Sequence, residues 1–324
     1  MALTFDDVTA IIKTSIVPKV QTNWKNKSVL AIKLMKEGRK APIMRRYTDG
    51  VKYPLFYTSQ GGAKWFTKDD PLPNPQNPAV TSAQYDYKFG VCPIPCYGTD
   101  AAKVTGEDAI KEFIAVRKQN AMDTMWDLVG TAVYSSAADG AKDLIGLRAV
   151  TDNDPYGKLT AADVIGPTGT TVWAAKTVTV ASFTLALFTK QWARTWDGGT
   201  DKSNLGITRP LLWAKFHSLL QPQERYVTDS DDETRKAGFT SLVYQGVPIY
   251  ADTYCPVSDA SANLYLLQTD YLDMFIHPDL NFSVEGPIQM PEMWAKTWRI
   301  LFSGNIATSR RDRQLVIKGL DPDA

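Results

Sequence analysis

The stretch from Val51 to Ile94 constrains this chain more than any other. Val51, Tyr53, Leu55 and Tyr57 alternate with outward positions, and Tyr85, Tyr87, Phe89 and Val91 repeat the pattern against Asp86 and Lys88. A period of two is the mark of half-buried strands. Between the runs lies Thr58 to Ala79, which holds Gly61, Gly62, Pro71, Pro73, Pro75 and Pro78. So many breakers exclude a regular element there and leave no apolar face to bury. A structureless loop of that length does not suit the inside of a compact domain. The expectation is an arm that cannot pack on its own domain. Its tip, Lys64, Trp65, Phe66, Lys68, Asp69 and Asp70, mixes aromatic and charged side chains suited to docking on another copy. A surface hairpin with no partner is the plainer alternative.

At 324 residues the chain can build one large domain or two smaller ones. Its apolar content of 44 % and charged content of 22 % are those of an ordinary globular protein. The net charge of +1 excludes a chain that traps nucleic acid along its whole length. The charge is uneven, however. Lys13, Lys19, Lys25, Lys27, Lys33, Lys36, Arg39, Lys40, Arg45 and Arg46 face one acid, Glu37, within that segment, a balance of +9 that leaves −8 elsewhere. Such a segment suits a polyanion or an acidic neighbour, or else forms a solvated face. Asp6 and Asp7 stand where a secretory signal needs a basic flank and an apolar core. No apolar run approaches the ~20 residues of a membrane span. Three cysteines, an odd count, argue for a reducing cytoplasm rather than a disulfide scaffold.

Thr4 caps an expected short helix carrying Val8, Ile11, Ile12 and Ile16, ended by Pro18, after which Lys19 to Met44 continues as a basic, weakly periodic arm. The clearest helix runs from Thr105 to about Tyr134, with Thr105 and Asp108 at its capped start. Ile110, Phe113, Ile114, Met122, Met125, Trp126, Val129 and Val133 recur along it every three or four positions. Further on, the runs 144–150, 177–180, 211–213, 242–243, 247–250 and 264–267 read as short strands, and 294–306 and 314–320 as closing strands. Helical spacing returns over 182–195 and opens again at 216–220. The pattern is mixed α+β with segregated elements.

No catalytic constellation emerges. His217 reads as a half-buried core imidazole, and His277-Pro278-Asp279 matches a co-chaperone tripeptide by coincidence, since it follows a strand-like run. Cys92-Pro-Ile-Pro-Cys96 is held extended by its prolines, with Cα atoms roughly 12–13 Å apart, beyond a disulfide or a shared metal ion. Neither a dinucleotide fingerprint, a phosphate loop nor a nucleophile elbow occurs. The reading is a protein that is no enzyme, with no catalytic residues, cofactor or metal.

The order of fragments after the long helix then carries a resemblance. Asp143-Leu-Ile-Gly-Leu-Arg-Ala-Val150 is followed by Trp173-Ala-Ala-Lys, Gly198-Gly-Thr, Trp213-Ala-Lys-Phe-His-Ser-Leu-Leu220, Arg225-Tyr226 and Gly238-Phe239. Then come Leu242-Val-Tyr-Gln-Gly-Val-Pro-Ile-Tyr-Ala-Asp252, Cys255-Pro256, Leu264-Tyr-Leu-Leu267, Phe282 and Trp294 to Leu301. This order resembles the major capsid proteins of tailed bacteriophages, the Hong Kong 97-like family. There a G-L-x-A-V strand follows the spine helix, and an F-x-G-x-P-[IV]-x-x-D-x-x-x-P run comes later.

The resemblance implies a Hong Kong 97-like capsid fold. Residues 1–45 would be an N-terminal arm, 46–100 an extended E-loop, 101–140 the spine helix of the P domain, 141–280 the A domain, and 281–324 the return to the P domain. It implies self-assembly into pentamers and hexamers around double-stranded DNA in a virion built in the bacterial cytoplasm. A separate scaffolding protein, a portal and decoration proteins are the expected partners, with packaged DNA contacted non-specifically and no membrane. Some members join a loop lysine to a neighbour's asparagine; Lys64 and Lys68 lie on the tip, but the sequence identifies neither the partner nor the assisting glutamate. An encapsulin-type compartment shares the fold and is the alternative within it. A carbohydrate-active hydrolase with a hairpin lid is the alternative outside it.

Overall fold

The computed structural model describes residues 28–37, 50–57, 65, 67–68, 80–99, 107–152, 154–166, 171–180, 182–196, 201–220, 241–258, 261–289, 291 and 293–321. The helix expected after Thr4, the cap residue Thr105 and most of the 58–79 loop lie outside them.

A long helix and a sheet form the first layer pair. Helix α2 (Glu107–Ala132) follows α1 (Val29–Glu37) in the chain, and the expected span was within two residues of it at each end. Met122, Met125, Trp126 and Val129 bury one stripe of it. That stripe covers a three-stranded antiparallel sheet in the order β10 (Leu272–Gln289), β11 (Ala295–Thr308), β3 (Lys88–Tyr97). Trp126 packs on Phe282, ring centroids 4.1 Å apart, and Phe282 on Phe302 at 4.9 Å.

The second layer pair is a seven-stranded mixed sheet. Its order is β4 (Lys176–Thr179), β12 (Leu315–Leu320), β9 (Ser261–Leu267), β5 (Leu205–Thr208), β7 (Val247–Ala251), β6 (Ser241–Tyr244), with β8 (Val257–Ser258) paired to β9. Alternation along each strand divides two cores. Leu264, Leu266, Leu315 and Ile317 face helices α4 (Leu185–Ala193) and α5 (Pro210–Leu220) through Phe188, Trp192 and Phe216. Tyr265, Leu267 and Val316 face the opposite way, into the core that the long helix shares.

Two expected strands are helices instead. Residues 211–213 fall inside α5, begun by Pro210, whose fixed φ suits a first helical position. Leu147–Asp152 forms α3, where 144–150 read as a strand and the family pattern places one. An apolar run this short does not distinguish a strand from a buried helix turn. Tertiary contact decides it, because Leu147 N–H donates to Val133 O at 2.7 Å and Ala149 N–H to Ser135 O at 3.3 Å. The turn thus satisfies carbonyls left open just past the long helix. Gly146 permits the approach: a Cβ there would stand 2.3 Å from Ser135 N.

The largest correction concerns the hairpin. Strand β1 (Val51–Phe56) pairs with β2 (Val80–Tyr85), Val51 opposite Tyr85 and Phe56 opposite Val80. Its alternation holds, yet Val51, Tyr53, Leu55, Ala83 and Tyr85 are buried in the protein's own core. Tyr53 donates to Asp273 Oδ2 at 3.1 Å and Tyr85 to Thr308 O at 2.9 Å. The root of the arm therefore does pack on its own domain. The returning run also changes face. Tyr85 is buried while Phe89 and Val91 are exposed, and Cys92 and Ile94 are buried in their place. Asp86 and Tyr87, which lie between β2 and β3 outside either ladder, shift the phase, so the period of two does not run through. Asn305 fixes that corner, donating to Asp86 O at 2.8 Å while its Oδ1 accepts from Ile145 N–H at 3.0 Å.

Candidate intersubunit surfaces

Among the described residues, three exposed apolar surfaces stand out. The first is the distal end of the hairpin. Phe56 and Val80 form its last cross-strand pair, with Phe56 81 % exposed, and Trp65 beyond them is fully exposed. Of the expected tip residues, Trp65 and Lys68 are exposed, whereas Lys64, Phe66, Asp69 and Asp70 lie outside the described residues. The Phe56–Val80 pair was missed although the alternation had already placed Phe56 outward. A large aromatic on the solvent side of a strand was the signal.

The second is a cleft of about 540 Å³ between the C-terminal half of α2, strand β3 and the segment after β7. Phe89, Met125, Leu128, Val129, Tyr254 and Phe302 line it, together with Lys142, Asp143 and Arg148. Its shape is held by polar contacts. Tyr254 donates to Asp127 Oδ1 at 2.6 Å, and Lys88 donates to the carbonyls of Asp139 and Ala141. Gly90 and Gly130 leave the space, since a Cβ on either would come within 3.2 Å of Met125 or 3.0 Å of the Tyr254 ring.

The third is the far end of the three-stranded sheet, where Tyr97, Met293 and Trp294 are exposed together. Gly98 N–H donates to Trp294 O at 2.8 Å and the indole lies against the glycine.

The basic segment is placed only in part. Lys33 is 4 % exposed, its ammonium 5.2 Å from the centre of the Tyr250 ring, so its charge is buried within the protein rather than offered to a polyanion. Lys36 lies in α1, its side chain outside the described residues, as are Lys13, Lys19, Lys25, Lys27, Arg39, Lys40, Arg45 and Arg46. Helix α1 itself, not anticipated within the arm, is anchored by a residue of the family-like run. Asp252 Oδ2 accepts from Val29 N–H and Ser28 Oγ at 3.1 Å, from Leu30 N–H at 3.4 Å and from Tyr134 at 2.9 Å. A carboxylate at a helix N-terminus meets open N–H groups and a favourable dipole.

The groups that carry chemistry elsewhere are committed to structure here. Cys92 and Cys96 lie on extended β3, and none of Cys92, Cys96 and Cys255 is in a disulfide. Burial first, then the charge of Asp252, raises the Cys255 thiol well above its usual range, which disfavours the nucleophilic thiolate. His217 stacks on Trp213, and His277 Nδ1 accepts from Asp279 N–H at 3.2 Å. Among the described residues no group of three or more His, Cys, Asp or Glu side chains could hold a metal ion, and no helix is long and apolar enough to cross a membrane.

No family model matches the chain, and no curated protein does. Solved structures do. A chain of the cyanophage A-1(L) capsid asymmetric unit superposes with a TM-score of 0.65 at 14 % identity, covering 91 % of this chain and 93 % of that one. The SrpI encapsulin of Synechococcus elongatus PCC 7942 gives 0.53 at 12 %, over 91 % and 96 %. A structure of Mycobacterium phage Bobi gives 0.52 at 11 %, over 99 % of both. At such identities the likeness speaks for the fold, and it spans nearly the whole of each chain. The chain therefore has a mixed α+β fold of the Hong Kong 97-like capsid type.

Proposed function

We propose that this chain is a structural shell subunit, the major capsid protein of a tailed bacteriophage, which assembles into pentamers and hexamers around double-stranded DNA. The observation that carries the reading is the superposition on a cyanophage capsid chain over nine-tenths of both molecules. Three separate exposed apolar surfaces agree with a subunit that meets several neighbours at once. In this reading α2 is the spine of the P domain (101–140, rejoined by 281–324), and 141–280, with the seven-stranded sheet, is the A domain. Residues 46–100 are the E-loop and 1–45 the N-terminal arm. The subunit performs no turnover chemistry and holds no cofactor.

With Lys33 buried, nine basic residues of the 13–46 segment remain for a polyanion or for acidic neighbours. Contact with packaged DNA through them is independent of sequence and weakens with salt. A separate scaffolding protein, a portal and decoration proteins complete the set of partners. Residues 64–70 at the hairpin tip dock on a neighbouring subunit.

The superposition on an encapsulin favours a second reading, a protein compartment loaded with enzymes. Particles purified from cells decide between them. Nuclease-protected double-stranded DNA inside supports the capsid, and co-purifying cargo protein without nucleic acid supports the compartment. A lone monomer that hydrolyses glycosides would overturn both.

A further inference from the structure

We propose that the surface around Trp196 binds single-stranded nucleic acid, the indole stacking on an unpaired base while Lys176, Lys190, Arg194 and Lys202 hold the phosphates. This surface is separate from the basic 13–46 segment, and its binding does not depend on the shell reading.

Separate stretches of the chain meet there. Lys176 opens the edge strand β4, and its ammonium donates to Arg194 O at 2.8 Å, just past the end of α4. Lys190 and Arg194 are both exposed, and positions four apart share a helix face. The helix ends at Ala193, so Trp192 is buried while Trp196 turns to solvent, 48 % exposed. The Lys202 ammonium lies 5.9 Å from the centre of the Trp196 ring. Lys176 N–H donates to Gln314 O at 3.0 Å, which sets this corner beside the turn that carries Arg310 and Arg313.

Charge points to the kind of partner. The nearby acids are already matched: Asp312 meets Arg310 at 2.9 Å and Arg313 at 3.2 Å, and Asp201 meets them at 3.9 and 3.8 Å. Asp201 also accepts from the Tyr271 hydroxyl and from Gln268 Nε2, each at 3.0 Å. Among the described residues, none of Lys176, Lys190, Arg194 and Lys202 forms an ion pair. Burial first, opposed by Asp312 and joined by Arg313, Arg194 and Arg310, lowers the Lys176 pKa, so an incoming anion relieves a repulsion already present. Three of the four cations are lysines, which are depleted at protein–protein contacts, and this favours a polyanion over a protein neighbour. A duplex offers phosphates but keeps its bases stacked on each other. A single strand also offers a base face to the indole.

The test uses the full-length protein with a labelled oligothymidylate of about 20 nucleotides and a duplex of the same length, read by fluorescence anisotropy. Trp196→Ala should weaken single-strand binding about 10-fold, as loss of one base stack does, and leave duplex binding and the melting temperature unchanged. Trp196→Phe should restore most of the loss. Lys176→Gln with Lys202→Gln should weaken both, and should flatten the single-strand slope of log affinity against log salt by about 1.4. Because the 13–46 segment also offers cations, the contact is mapped directly: a 5-bromouracil oligonucleotide should photocrosslink to Trp196. Crosslinks confined to the 13–46 segment overturn the proposal, as does equal loss on single strand and duplex in Trp196→Ala. Unchanged affinity in Trp196→Ala with reduced particle yield assigns the surface to a protein neighbour instead, and overturns it too. None of these results bears on whether the protein forms shells.

Discussion

Asp252 joins three parts of the chain that are far apart in sequence. Its carboxylate meets the start of α1, the hydroxyl of Tyr134 just past the long helix, and, through Oδ1, Tyr254 N–H at 2.9 Å. Removing it strands several buried donors at once, so Asp252→Ala should cost about 3 kcal/mol, well above the ~1 kcal/mol of an ordinary cap. Urea unfolding measures this, and a loss under 1 kcal/mol would show the cap to be incidental. The two phenols beside it give a pH prediction. Burial, then Asp252, raises Tyr134, while burial, then Asp127, pushes Tyr254 up to about 12. A phenol with a higher pKa folded than unfolded stabilises the fold fully below the ordinary value near 10. That stability is lost as pH climbs towards the folded value. Urea midpoints should therefore hold from about pH 7 to 9 and fall between about pH 10 and 12, with a shallower fall in Tyr254→Phe. An equally steep fall in Tyr254→Phe would contradict this.

At the level of the element, the hairpin root is bound into the subunit, and its tip is the part proposed to dock on a neighbour. Tyr53 and Tyr85 are buried, their hydroxyls are bonded, and their rings lie 5.9 Å apart. Tyr85→Ala should therefore destabilise the subunit by about 3–5 kcal/mol. Deleting 60–78, beyond the last ladder pair, should leave the melting temperature within a few degrees and abolish shell closure, read by calorimetry beside electron microscopy. Unchanged assembly would remove the docking role. The sequence showed the two strands and their alternation, because a period of two is a local property. It did not show that the inward face meets the chain's own Asp273 and Thr308, more than two hundred residues away. The same limit explains α3. Its apolar run was visible, but the carbonyls that draw it into a helix belong to Val133 and Ser135. The long helix was read almost to its ends, since its stripe repeats over many turns. The cleft was not readable at all, because it gathers Phe89, Leu128 and Tyr254 from three separate elements.

For the whole molecule, the two cores share one sheet, and among the described residues apolar side chains are exposed at the hairpin end, the cleft and the corner at Trp294. In the proposed reading a closed shell covers each of these surfaces with a neighbour. The corner yields a prediction of its own. Trp294→Ala should leave the fold intact and reduce particle yield, as measured by sucrose-gradient sedimentation. Normal yield would exclude that corner from the interfaces. The fold itself is shared by capsid and encapsulin chains, so contents rather than architecture separate those two readings. Both depend on self-assembly. Cryo-electron microscopy of the concentrated full-length protein tests that most directly. The account predicts closed particles built of five-fold and six-fold clusters, with each hairpin lying across an adjacent subunit. A population of single molecules that persists at high concentration, with every cleft open to solvent, would contradict it.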